Sequence, residues 1–198
     1  MNKVLIIDDR KERKKLYLSQ GTLKALEKLE NCGNLEIRES IDNTEYLTRF
    51  SLIAVHRSYL VNSGTYKSIL DFTKKANQHL IVFSGNISQN MIMDGGRQLN
   101  INASDFYVDR LPDFIERYDE EELEHPLLKF LYGESWKLSL LLQYRFLLWA
   151  YGGADEIDDA EDESMEERVR SILWHGQSVT LEEVNEEIEK EKSKYQHL

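Results

Sequence analysis

Lys3–Asp9 reads KVLIIDD, and the fold turns on that stretch. From Lys3 to Ile7 the run is of strand length and apolar after its first residue, the pattern of a strand buried on both faces. It delivers two carboxylates, Asp8 and Asp9, to the start of a basic segment that carries Arg10, Lys11, Arg13, Lys14 and Lys15. From there the apolar spacing becomes helical, with Leu16, Leu23, Leu26 and Leu29 inward, until the turn cluster Asn31-Cys32-Gly33-Asn34 ends the helix. Leu35–Arg38 reads as a short edge strand, and Asp42 with Glu45 as a capping box for a brief helix.

The alternation continues. Leu52–Val55 is a third strand ending at His56, and Ser63 is placed to cap a helix running to about Ala76 with Tyr66, Ile69, Leu70 and Phe72 inward. Leu80–Phe83 is a fourth strand, closed by Ser84-Gly85-Asn86, and Phe106–Val108 is a fifth. Strands alternating with helices at this spacing imply βαβ units and a parallel sheet, here over residues 1–118. Residues 119–198 read as all-helical. Leu127–Tyr151 is apolar on more than one face, a helix that must be covered by neighbours or by another chain. Nine carboxylates between Asp155 and Glu167 mark an acidic connector at about 152–164. Ser164/Glu167 and Thr180/Glu183 are capping boxes opening helices over Met165–His175 and Leu181–Tyr195.

Bulk properties exclude several classes of function. A net charge of −11 over 198 residues disfavours duplex nucleic acid as a partner, since phosphate contacts need clustered Lys and Arg. Cys32 is the single cysteine, so a disulfide scaffold is excluded. No signal peptide is read at the N-terminus, and Leu138–Tyr151 is too short and carries Arg145, so no membrane span is expected. The expected location is the cytoplasm.

In an open parallel sheet, ligands sit beyond the carboxyl ends of the strands. On this reading Asp8, Asp9, His56, Ser84 and Asp109 meet at that edge. VLIIDD, SLIAVH, IVFSG and DFYVDR, spread over residues 3 to 115, resemble the receiver domain of bacterial response regulators. The resemblance implies a flavodoxin-like, doubly wound, five-stranded parallel sheet of order 2-1-3-4-5. In that family two acids bind Mg²⁺, an aspartate ending the third strand accepts phosphate, a hydroxyl ending the fourth contacts the phosphoryl group, and a lysine after the fifth pairs with it. Asp8 and Asp9 match the acids and Ser84 the hydroxyl. His56 stands at the phosphoacceptor position and Asp109 at the lysine position, so the match describes a pseudo-receiver. A carboxylate in place of lysine removes the counter-ion of a phosphoryl group.

Asp8 and Asp9 can cap a helix or hold a cation such as Mg²⁺, and both can be true. His56 reads as a structural imidazole, as a third metal ligand beside them, or as a phosphoacceptor. The expected function is a non-enzymatic regulatory or adaptor protein that requires no cofactor and binds a protein partner. Trp136, Leu140, Tyr144, Leu147 and Trp149 are the candidate interaction residues, and a homodimer through the C-terminal helices is a subsidiary expectation. The competing reading is a metal-dependent phosphoesterase or nuclease using the Asp8/Asp9 edge.

Overall fold

The computed structural model describes residues 3–10, 12–118, 125–151 and 165–195. The chain divides into two compact units, residues 1–93 with 97–127, and residues 94–96 with 128–198. Among the described residues, no helix is long and apolar enough to cross a membrane.

The first unit is built on a six-stranded sheet. Its strands are β1 (Val4–Ile7), β2 (Leu35–Arg38), β3 (Leu52–His56), β4 (His79–Ser84), β5 (Met91–Met93) and β6 (Gln98–Asn102). They lie in the order β2-β1-β3-β4-β6-β5, all parallel except β5, which runs antiparallel to β6 at the edge. The order 2-1-3-4 at the start of the sheet is the one flavodoxin-like and receiver-type folds share. Every residue of β1, β3 and β4 is buried, as the unbroken apolar runs require. Leu5, Ile7, Ile53, Val55, Leu80 and Val82 join one core cluster, closed by residues of the helical segments that follow β2 and β3, among them Leu47, Leu60 and Ile69. The alternate residues Ile6, Ala54, Ile81 and Phe83 take the other face.

The fifth parallel strand is where the structure departs from the expected five-stranded sheet. Gln98–Asn102 holds that place, and Phe106–Val108 is not a strand. QLNIN carries the period-2 signal, with Leu99 and Ile101 fully buried and partly exposed polar residues between them. Asn102 then accepts the Ser104 N–H at 2.9 Å and starts the helix α5 (Ala103–Phe106). Phe106 is buried by stacking on Phe83, with ring centroids 4.2 Å apart, and not by pairing in the sheet.

Three helical readings also shift. The first helix is two: α1 (Lys14–Tyr17) stops at Leu18, and Ser19 caps α2 (Gln20–Asn31) by accepting the Thr22 N–H at 3.2 Å. Leu16, on α1, is therefore exposed, not inward. The capping residue before the 3₁₀ helix Thr44–Arg49 is Asn43, which accepts the Tyr46 N–H, and not Asp42. The helix expected from Ser63 to about Ala76 starts later, as α4 (Tyr66–Lys75), and a separate α3 (Arg57–Ser63) precedes it. They are separated by Gly64 at φ 66°, a left-handed residue that closes α3. Ser63 instead donates its hydroxyl to the Tyr59 carbonyl at 2.6 Å, the back-bond of a residue inside a helix. The last helix of the first unit is α6 (Leu111–Arg117).

The second unit is helical. Gly133, at φ 72°, breaks the expected long helix into α7 (Pro126–Tyr132) and α8 (Trp136–Tyr151). With α9 (Met165–Trp174) and α10 (Leu181–Tyr195) it buries Leu140, Leu141, Tyr144, Val169, Val184 and Ile188. The Thr180/Glu183 box forms: Glu183 Oε2 accepts the Thr180 N–H at 2.7 Å, and Thr180 Oγ1 accepts the Glu183 N–H at 3.3 Å. Ser164 lies outside the described residues.

Candidate functional site

β1 ends at Ile7 and β3 at His56, neighbouring strands in the sheet, so Asp8 and Asp9 emerge beside His56. Ligand-type atoms of Asp8, Asp9 and His56 lie within 4.8 Å of one another. Arg13, from the turn before α1, reaches back into this cluster. Its Nη1 pairs with Asp8 Oδ1, and its Nη2 lies 3.3 Å from Asp9 Oδ1. Asp8 is 3% exposed and Arg13 11%, so the pair is largely removed from water.

The remaining acceptor capacity of the acids is also used. Asp8 Oδ1 accepts the Arg10 N–H at 3.1 Å, and Asp8 Oδ2 accepts the hydroxyl of buried Tyr107 at 2.7 Å. Burial and the facing Asp8 carboxylate push the Tyr107 phenol well above its ordinary range, so it serves only as a donor. The Ser58 hydroxyl donates to Asp9, 2.7 Å from both carboxylate oxygens. Burial alone would raise the Asp9 carboxyl, but the Ser58 hydroxyl and the Arg13 guanidinium outweigh it and hold the group below the usual carboxylate range.

His56 Nδ1 accepts the Ser58 N–H at 3.1 Å, which makes the imidazole the N-cap of α3 and fixes its proton on Nε2. Burial first, then the nearby Arg13 charge, lowers its basicity against the opposing pull of Asp8 and Asp9. The ring is neutral at pH 7. Its position edge-on to Phe83, with centroids 5.2 Å apart, adds an apolar wall. Ser58 Oγ lies 2.6 Å from His56 Nδ1, a distance suited to nucleophile activation. However, that nitrogen already accepts a backbone N–H, and the hydroxyl proton points to Asp9. The group is a cap and a clamp.

A divalent cation does not fit this arrangement as it stands. Both oxygens of Asp8 are occupied, and the guanidinium bridges the two carboxylates that would have to hold the ion.

The other expected site residues go elsewhere. Ser84 is buried, and its Oγ accepts the Asn86 N–H at 3.3 Å, a strand-to-loop turn. Asp109 does not end the fifth strand; Asn102, paired with Ser84, does. Asp109 instead accepts the Thr22 hydroxyl and lies 3.5 Å from the Ser19 nitrogen, where it braces the start of α2. Those hydrogen bonds, the Thr22 one foremost, hold its carboxyl below the ordinary range. Of the expected interaction residues, Trp136, Leu140 and Tyr144 are buried, Leu147 is half-buried and Trp149 is exposed.

Sequence reading missed Arg13, Ser58 and Tyr107. Arg13 sits four residues after Asp9, a spacing that favours ion pairs where the chain is helical. No comparable local signal marks Ser58 or Tyr107, which the fold brings in from 49 and 99 residues away. No protein-family model matches the chain, and no curated protein or solved structure matches it significantly.

Proposed function

We propose that the first unit is a receiver-like regulatory module that accepts no phosphate and acts through protein contacts. The observation that carries this reading is the Arg13 guanidinium, which lies between Asp8 and Asp9 at the end of the sheet where a cation and a phosphoryl group would meet. His56 supports it as a neutral cap at the third-strand position, and the strand in the fifth parallel place ends at Asn102, whose neutral amide supplies no counter-ion for a phosphoryl group. With Tyr17 stacked on Tyr107 at 6.1 Å, the former acidic edge works as an anchor that holds α1 at both ends.

The test is incubation of the full chain with acetyl phosphate and Mg²⁺, followed by intact-mass spectrometry. We expect no phosphoryl adduct. A stoichiometric aspartyl phosphate overturns the reading.

A metal-dependent phosphoesterase is the second reading, favoured by the close approach of Asp8, Asp9 and His56. Calorimetric titration with Mn²⁺ and a phosphoester turnover screen separate the two. Binding with turnover supports the second reading and sinks the first.

A further inference from the structure

The two most exposed large apolar residues of the described chain are Leu16, at 78%, and Trp149, at 75%. They lie in different units and in opposite electrostatic settings. Leu16 projects from α1 next to Lys14 and Lys15, with Glu12 paired to Lys15. Trp149 lines a cavity of about 310 Å³ between α8 and α10, together with Leu142, Arg145, Phe146, Leu181 and Asn185. Glu182 and Glu186, one helical turn apart, line the adjoining stretch of α10. Both are exposed, and among the described residues neither has an ion pair. Each patch therefore combines an uncovered apolar anchor with charge, and the signs are reciprocal. The knob carries an excess of cations with one carboxylate, and the trough carries carboxylates with one guanidinium.

We propose that the occupant of this trough is a second copy of the chain, which inserts Leu16 beside Phe146 and Trp149 and sets Lys14 and Lys15 against Glu182 and Glu186. The acidic connector is a poor occupant on charge grounds, since residues 152–164 hold seven carboxylates and no basic residue. A knob on one surface and a trough on another make the contact heterologous, so a copy bound through its knob still presents a free trough. The proposal rests on the reading of the acidic edge as the clamp that presents α1. The two fail separately: a phosphoryl adduct overturns the clamp reading, and the mass measurements below overturn the contact.

Sedimentation velocity on the full chain tests it over about 5 to 200 µM, the range of transient small interfaces. In low salt the mean mass should rise with concentration. It should fall back towards monomer at about 500 mM salt, where charges beyond about 5 Å are screened. Leu16→Glu and Trp149→Glu change exposed side chains, so both variants should fold, as checked by circular dichroism. Each alone should be monomeric. An equimolar mixture should stop at a dimer, because one variant keeps the trough and the other the knob. A wild-type monomer at every concentration overturns the proposal and leaves a different protein as the occupant. Association that survives Leu16→Glu overturns it in favour of trough-to-trough pairing.

Discussion

Replacing Arg13 by Met removes the bridging charge while keeping much of the side-chain volume. Loss of one partner from a buried ion pair costs about 3–5 kcal/mol, mostly because the other charge is stranded. Asp8 would keep the Arg10 N–H and the Tyr107 hydroxyl, and water reaches Asp9. The loss should therefore fall at the low end, about 3 kcal/mol, a large share of the roughly 5–15 kcal/mol that holds a domain together. Urea unfolding of wild type, Arg13→Met, Asp8→Asn and the double variant measures it, and we expect a coupling energy of about 2 kcal/mol. Asp9 titrates below its ordinary value of 3.8, so its stabilising contribution is complete above about pH 4 and is lost as pH falls through the folded value. The deficit of Arg13→Met should close in that same acid window. The variant also exposes two carboxylates to divalent ions. Mn²⁺ at ten times its dissociation constant should then return about 1.4 kcal/mol, while wild type gains nothing. A variant as stable as wild type, or a coupling energy near zero, refutes the idea that Arg13 balances the acidic edge.

Two further perturbations probe what positions the site. Burial first, then the charges of Arg97 and His125, lowers the His79 imidazole from 6.5 to about 4. Its folded value lies below its unfolded one, so its contribution is complete above pH 6.5 and is lost as pH falls towards 4. That interval corresponds to about 3 kcal/mol, and the urea midpoint of wild type should drop across it more steeply than that of His79→Gln. Equal slopes would count against His79 as the acid-labile group. Ser19→Ala should cost about 1 kcal/mol by leaving the Thr22 N–H without its cap, measured by the same unfolding curves. An unchanged midpoint would show that Asp109 and water supply the cap unaided.

The central strands were legible in the sequence because a strand buried on both faces needs an unbroken apolar run, and VLII, LIAV and LIVF have no alternative environment. The fifth parallel strand was misplaced because a buried aromatic pair, Phe106 and Tyr107, gives the same local signal whether it pairs in the sheet or packs on it. The half-polar QLNIN gives a weaker signal, although its period is correct. The helix break at Leu18 was hidden for a similar reason. Leu16 fits the helical spacing of Leu23 and Leu26, and only tertiary packing decides which leucines are covered. The acids and the imidazole were visible as residue types at strand ends. The guanidinium that occupies them was not, because a run of five basic residues reads as a solvated face until one side chain is seen to turn inward.

Charge balance links the residues at the edge. Two carboxylates and a third at the end of β3 would bring three negative charges to one point, and such a cluster is stable only with a divalent cation or with protons. With neutral His56 in the third place, the cluster falls to two, and one guanidinium with the Ser58 and Tyr107 hydroxyls suffices to satisfy it. The imidazole does more than remove a charge, because it accepts the Ser58 N–H and so takes over the capping of α3 that a carboxylate would otherwise provide. Arg13 in turn is tied to the chain, so it supplies its charge to the edge at every cation concentration. That same tether fixes the turn leading into α1, with Tyr17 stacked on Tyr107 at its far end. On the proposed reading, the edge is a fixed support for α1 and its exposed Leu16. That reading puts the contacts to test first at Leu16 and its basic neighbours, ahead of Asp8 and Asp9.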